Sequence, residues 1–157
     1  LDSRFQGIER DAAGEQMTYD PSHAAIQGAY AATLNDYVRR ELGFEVDLPY
    51  NVLASLYETW PYSKHENRFA EVAETLRKAM TNNPFMQIYV ANGYYDLATP
   101  YFATEYTLNH LMLDPTLQTN IRSGYFEAGH MMYVHEASLA ELNGQVRAFV
   151  EESVGAG

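Results

Sequence analysis

The chain has 157 residues, 46% of them hydrophobic, and a formal charge of −11 from 10 Lys plus Arg against 21 Asp plus Glu. That is enough apolar material for one core of ordinary size, so no second domain is required. The negative residues are scattered along the chain, so polyanions are repelled, and neither nucleic acid nor an anionic membrane is expected as a partner. The absence of cysteine excludes a disulfide framework and any Cys-based zinc site. No apolar run approaches the roughly 18 residues of a membrane span, and the opening LDSRFQ does not read as a signal peptide. With no initiating Met, the sequence is expected to be a segment of something longer.

In chain order, Leu1 to Asp20 is charged, carries Gly7 and Gly14 without a sustained period, and reads as coil. Asp20 followed by Pro21 is an N-cap and first-turn signature. Ile26, Tyr30, Leu34, Tyr37, Val38 and Leu42 then recur at helical spacing up to a stop at Gly43. Phe44 to Lys64 is rich in rings (Tyr50, Tyr57, Trp60, Tyr62) and contains Pro49 and Pro61. These rings either line a cleft or pack a loop onto the body, and the second reading is favoured. A short helix fits Asn51 to Glu58. A second amphipathic helix is expected over Glu66 to Met80, with Phe69, Val72, Leu76 and Met80 on one face, ended by Asn82, Asn83 and Pro84.

Met86 to Val90 is apolar on both alternations, which suits a strand covered on both faces of a parallel sheet. The strand is expected to leave the sheet at Ala91, Asn92 and Gly93. The next helix begins at Thr99 or Pro100 and runs through Phe102, Leu108, Leu111 and Met112 to Leu113, with Asp114 and Pro115 as the break. A second strand fits Asn120 to Phe126, and Ala128 and Gly129 make a turn. A final helix, Glu136 to Glu151, is amphipathic through Leu139, Leu142, Val146, Phe149 and Val150. Helices interleaved with strands define an α/β class with parallel strands and flanking helices.

In an open parallel sheet, reactive groups gather beyond the carboxyl ends of the strands. Asp96 and His130 both fall there, one after each strand. Adjacent strands lie about 4.8 Å apart, so side chains from the two following loops can meet. Such an aspartate would fix one imidazole tautomer while the other ring nitrogen takes a proton from a nucleophile. Taken singly, an Asp after a strand is more often a turn former or helix cap, and a lone His more often a packed or solvated polar group. Asp114 competes as the carboxylate but reads as a stop signal. His23, His65, His110 and His135 lack a strand-end position. A metal site from His130, His135 and Glu136 is disfavoured, because a five-residue spacing does not bring both rings to one helical face.

The segments GYYDLATP and EAGHMMYVHEASL resemble the acid-bearing and histidine-bearing motifs of the serine carboxypeptidase family, peptidases of α/β-hydrolase fold that remove C-terminal residues. Asp20 through Trp60 resembles the cap and return segment that precedes those motifs. The resemblance implies that residues 1–64 are cap-derived and that residues 65–157 form the C-terminal strand-helix-strand-helix part of the hydrolase domain. It assigns Asp96 as triad acid and His130 as triad base, places Met131 at the border of a peptide-substrate pocket, and implies no cofactor. Met132 and Tyr133 stand where many relatives have a Pro, and the cysteines of eukaryotic members are missing, which points to a Cys-poor bacterial branch and a secreted or periplasmic setting.

None of the seven serines lies in a G-x-S-x-G elbow. The chain is therefore expected to be a C-terminal fragment, inactive alone, whose partner is the N-terminal portion of the same enzyme. An esterase or acyltransferase of the same fold, or a non-catalytic binding module, are the alternatives.

Overall fold

The structure, a computed structural model, describes residues 1–10, 19–48, 56 and 59–155. These divide into two compact units: Phe5–Ala70, and Leu1–Arg4 together with Glu71–Gly157. The chain thus begins in the unit that holds both strands, leaves it after Arg4 and returns at Glu71.

In the Phe5–Ala70 unit, helix α1 spans Pro21–Asp36, and the Asp20 carboxylate accepts from the Ser22 and His23 amides as its cap. The helix then widens into a π-turn, Tyr37–Glu41, where the Arg40–Asp36 ion pair lies. Gly43 adopts φ +61°, a left-handed value that costs a glycine little. The reversal lets the Phe44 amide donate to the Val38 carbonyl at 3.1 Å. Of the expected apolar stripe, Ile26, Leu34 and Val38 are half-buried, whereas Tyr30, Tyr37 and Leu42 are exposed. Trp60 is 62% exposed and Tyr62 is also exposed, so these two rings do not pack a loop down. Tyr50, Tyr57 and most of the helix expected near Asn51 to Glu58 lie outside the described residues.

The other unit is a mixed helix and strand structure around a two-stranded parallel sheet. Helix α2 is Ala73–Asn82 and strand β1 is Ile88–Gly93. Helices α3, Tyr101–Asn109, and α4, Pro115–Gln118, lead to strand β2, Ile121–Phe126. A 3-10 turn at Met132–Val134 precedes α5, Glu136–Gly155. β1 continues through Ala91, Asn92 and Gly93, which sequence alone placed beyond the sheet, because each pairs with β2: Ala91 with Gly124, Asn92 with Tyr125, Gly93 with Phe126.

α2 starts seven residues later than expected, at Ala73 rather than Glu66, with Phe69 and Val72 exposed and Met80 buried. α3 ends at Asn109 rather than Leu113. The His110 ring takes up the Tyr106 carbonyl at 2.7 Å, and Met112 turns to φ +54°. Asp114 and Pro115 therefore open α4 as well as follow α3, the Asp114 carboxylate accepting from the Thr116 amide at 2.9 Å.

Alternation along the strands directs Tyr89, Gly124 and Phe126 to one face. There the Tyr89 hydroxyl bonds Gln145 of α5, and its ring lies 5.6 Å from that of Phe149. Tyr125 points to the opposite face, where its hydroxyl donates to Glu105 of α3 at 2.6 Å and its ring meets those of Tyr94 and Tyr101. Phe126, fully buried, packs with Ala128, Met132 and Leu142 beneath the carboxyl ends of the strands. Phe126→Ala should therefore lower unfolding free energy by about 3–5 kcal/mol in urea titration, and a loss below about 1 kcal/mol would mean that this cluster is not the core.

Candidate active site

Gly93 closes β1 and is followed by Tyr94, Tyr95 and Asp96. β2 is followed by Glu127, Ala128, Gly129 and His130. The ladder continues past both strands, because the Tyr94 amide donates to the Phe126 carbonyl and the Tyr95 amide to the Ala128 carbonyl, both at 3.0 Å. A Cβ on Gly93 would lie 2.4 Å from the Gly129 carbonyl oxygen and 2.5 Å from that of Ala128. Only a glycine permits this approach without moving backbone, and the approach brings the two loop tips together.

At the tips, His130 Nδ1 and Asp96 Oδ2 are 2.8 Å apart. Asp96 is 6% exposed, while the His130 side chain reaches the surface. The other carboxylate oxygen, Oδ1, accepts from the amides of Ala98 at 2.7 Å and Thr99 at 2.9 Å, which is the geometry of a turn-forming aspartate. The turn-former and triad-acid readings of Asp96 are therefore compatible, one served by each oxygen.

Thr99, taken from sequence only as a helix start, belongs to the site. Its hydroxyl donates to Asp96 Oδ2 at 2.7 Å and lies 3.3 Å from His130 Nδ1. The signal for it was present in the D-x-x-T spacing, where a hydroxyl three residues after a turn-forming Asp folds back onto the carboxylate.

Burial pushes the Asp96 carboxyl up, but the Thr99 amide and hydroxyl, His130 and the Ala98 amide together outweigh it and hold the group below its ordinary value of 3.8. Asp96 is thus an anion at neutral pH, so the Nδ1 that faces it carries a proton and Nε2 is the ring nitrogen left for exchange with a further group. Nε2 makes no hydrogen bond among the described residues. Met131, next in the chain, is half-buried and precedes the Met132–Val134 turn.

The remaining candidates serve local structure. Asp114 caps α4, the His110 ring bonds the Tyr106 carbonyl, and the His135 ring bonds Ser138 Oγ at 2.8 Å at the start of α5. Among the described residues no three potential metal ligands come together, and no helix is long and apolar enough to cross a membrane. Comparisons with protein-family models, curated proteins and solved structures find no match.

A carboxyl depressed in the folded state contributes stability above its unfolded value, about 3.9, and that contribution is lost as pH falls through the lower folded value. The wild-type chain should accordingly lose more stability than Asp96→Asn between pH 5 and pH 2, read as urea midpoints. In carbon-detected titration, Thr99→Val should raise the Asp96 transition. Parallel pH profiles, or an Asp96 titration at 3.9 or above, would contradict this description of the site.

Proposed function

We propose that this chain is the acid- and base-bearing C-terminal part of a serine carboxypeptidase-like hydrolase of α/β-hydrolase fold. The observation that carries the reading is the 2.8 Å contact between Asp96 Oδ2 and His130 Nδ1 across the ends of two adjacent parallel strands. The open Nε2 on the exposed side is where an attacking hydroxyl would be activated.

The hydroxyl belongs to a serine on the N-terminal portion of the same enzyme, outside this chain. That serine attacks the scissile carbonyl as Nε2 of His130 takes its proton. His130 then protonates the leaving amine, and a water released against the acyl group by the same imidazole completes hydrolysis. Asp96 keeps the ring in the productive tautomer and balances its positive charge. Oxyanion donors and recognition of the substrate carboxylate come from the N-terminal portion, with Met131 beside the peptide. No cofactor takes part.

Two features support a missing partner segment. Each strand of the two-stranded sheet has one edge with no pairing partner among the described residues, and such edges are normally covered. On α5 the inward row is Ser138, Leu142, Gln145 and Phe149, whereas Leu139, Val146 and Val150 form a second apolar row that stays exposed. Leu97, Phe102 and Phe85 are 69%, 70% and 92% exposed, and large exposed apolar side chains of this kind mark surfaces that bind a partner.

The test is to express the chain joined to its upstream coding sequence and assay fluorophosphonate labelling together with blocked dipeptides and esters. The joined protein should be labelled and should release C-terminal residues, and His130→Ala should reduce kcat by about 10⁴-fold or more. The 157-residue chain alone should take up no label. Preference for esters would make the enzyme an esterase or acyltransferase, absence of activity in the joined protein would favour a binding module, and stoichiometric labelling of the isolated chain would remove the missing-serine account.

A further inference from the structure

The segment Leu1–Arg4, far from the strands in sequence, is built into the same unit and touches both loops of the dyad. The His130 amide donates to the Leu1 carbonyl at 2.9 Å, and the Ser3 amide donates to the carbonyl of Tyr95, the residue before Asp96, at 2.9 Å. Arg4 Nη1 donates to the Glu127 carbonyl at 2.9 Å, and the guanidinium carbon lies 4.6 Å from the centroid of the Tyr95 ring. The Tyr95 hydroxyl in turn donates to Glu127 Oε2 at 2.9 Å. Asp2 grips Arg4 through both carboxylate oxygens, at 2.7 and 3.0 Å, and also accepts from the Arg4 amide. It sits so close to the histidine loop that a Cβ on Gly129 would lie 2.4 Å from Asp2 Cβ.

We propose that Leu1–Arg4 is a strap that fixes His130 against Asp96, with Asp2 and Arg4 as positioning residues for the imidazole. The strap joins the two loops beside the last ladder bond, from Tyr95 to Ala128, and reaches His130 beyond it, so it adds a second constraint on their separation. The Arg4 fork is suited to this role: one arm holds the histidine loop by its backbone, the other is held by Asp2, and the planar face covers the aspartate loop at Tyr95.

This inference rests on the hydrolase reading only for its catalytic consequence, so two readouts separate them. In the 157-residue chain, Arg4→Ala and Asp2→Asn should each speed hydrogen exchange at the His130 and Ser3 amides by about tenfold. They should also broaden the downfield His130 Nδ1 proton resonance, leaving β1 amides such as Val90 unchanged. In the joined, serine-bearing enzyme the same variants should lower kcat by about 10- to 100-fold with KM within about twofold, because the base is misplaced rather than the substrate. An unchanged Nδ1 resonance and unchanged His130 amide exchange in both variants would overturn the strap. So would a uniform acceleration of all amides, which would make Asp2 and Arg4 general stabilisers. If the joined enzyme proves inactive while the exchange pattern appears, the hydrolase reading fails and the strap stands.

Discussion

The structure of the site depends on one carboxylate with two tasks. Asp96 Oδ1 closes its own turn through the Ala98 and Thr99 amides, and Oδ2 receives Thr99 and His130. A buried anion is tolerated only when its lone pairs are filled, and here four donors fill them. The local and tertiary tasks cannot be separated. A change that loosened the turn would rotate Oδ2 away from the imidazole, and loss of the imidazole would leave a turn whose carboxylate is less well satisfied. Charge-assisted bonds of this kind contribute about 1.5–3 kcal/mol each before desolvation is set against them.

Parallel pairing explains why the two groups meet at all. Gly93 stands opposite Phe126 in the last ladder pair, so Asp96 follows three residues after one strand end and His130 four after the other. Two further amide bonds, from Tyr94 and Tyr95, extend the pairing into the loops. The missing side chain of Gly93 then lets the Ala128 and Gly129 carbonyls pass within contact distance. In an antiparallel pair the following loops would emerge at opposite ends, and no choice of side chains would bring them together.

Much of this was legible before any coordinates. Asp20 and Pro21 announced α1 by cap chemistry, and the apolar run ending at Val90 announced β1. The dyad was readable because both partners sit just beyond strands. What was not legible depended on partners distant in sequence. Ala91, Asn92 and Gly93 have turn chemistry, and only pairing with Gly124 to Phe126 keeps them extended. α3 has apolar residues enough to reach Leu113, but the Leu111 amide turns to the Leu108 carbonyl three residues back, Met112 adopts φ +54° and the helix ends early. On α5 the periodicity gave a broad stripe, yet the sheet beneath accepts Gln145, because Tyr89 supplies a hydroxyl there and Gly124 leaves room for both. Residues 1–4 lacked any period, and their role comes entirely from contacts with loops more than ninety positions away.

The buried cluster around Phe126 is small, while large apolar side chains on α3, α5 and the β1 approach remain in solvent. The hydrogen-bond network of the two loops, by contrast, is closed: among the described residues no buried side-chain polar atom lacks a partner. Apolar burial and loop geometry meet at Ala128, whose side chain joins the Phe126 cluster while its carbonyl accepts from the Tyr95 amide. The loops are held by backbone pairing, two glycine contacts, the carboxylate network and the bonds from Leu1–Arg4, none of which requires the exposed faces to be covered. Covering those faces would add stability to the body through apolar area without having to reshape the dyad. On the proposed reading, the same separation would let an upstream segment dock against the exposed faces and meet an Asp96–His130 pair already in place.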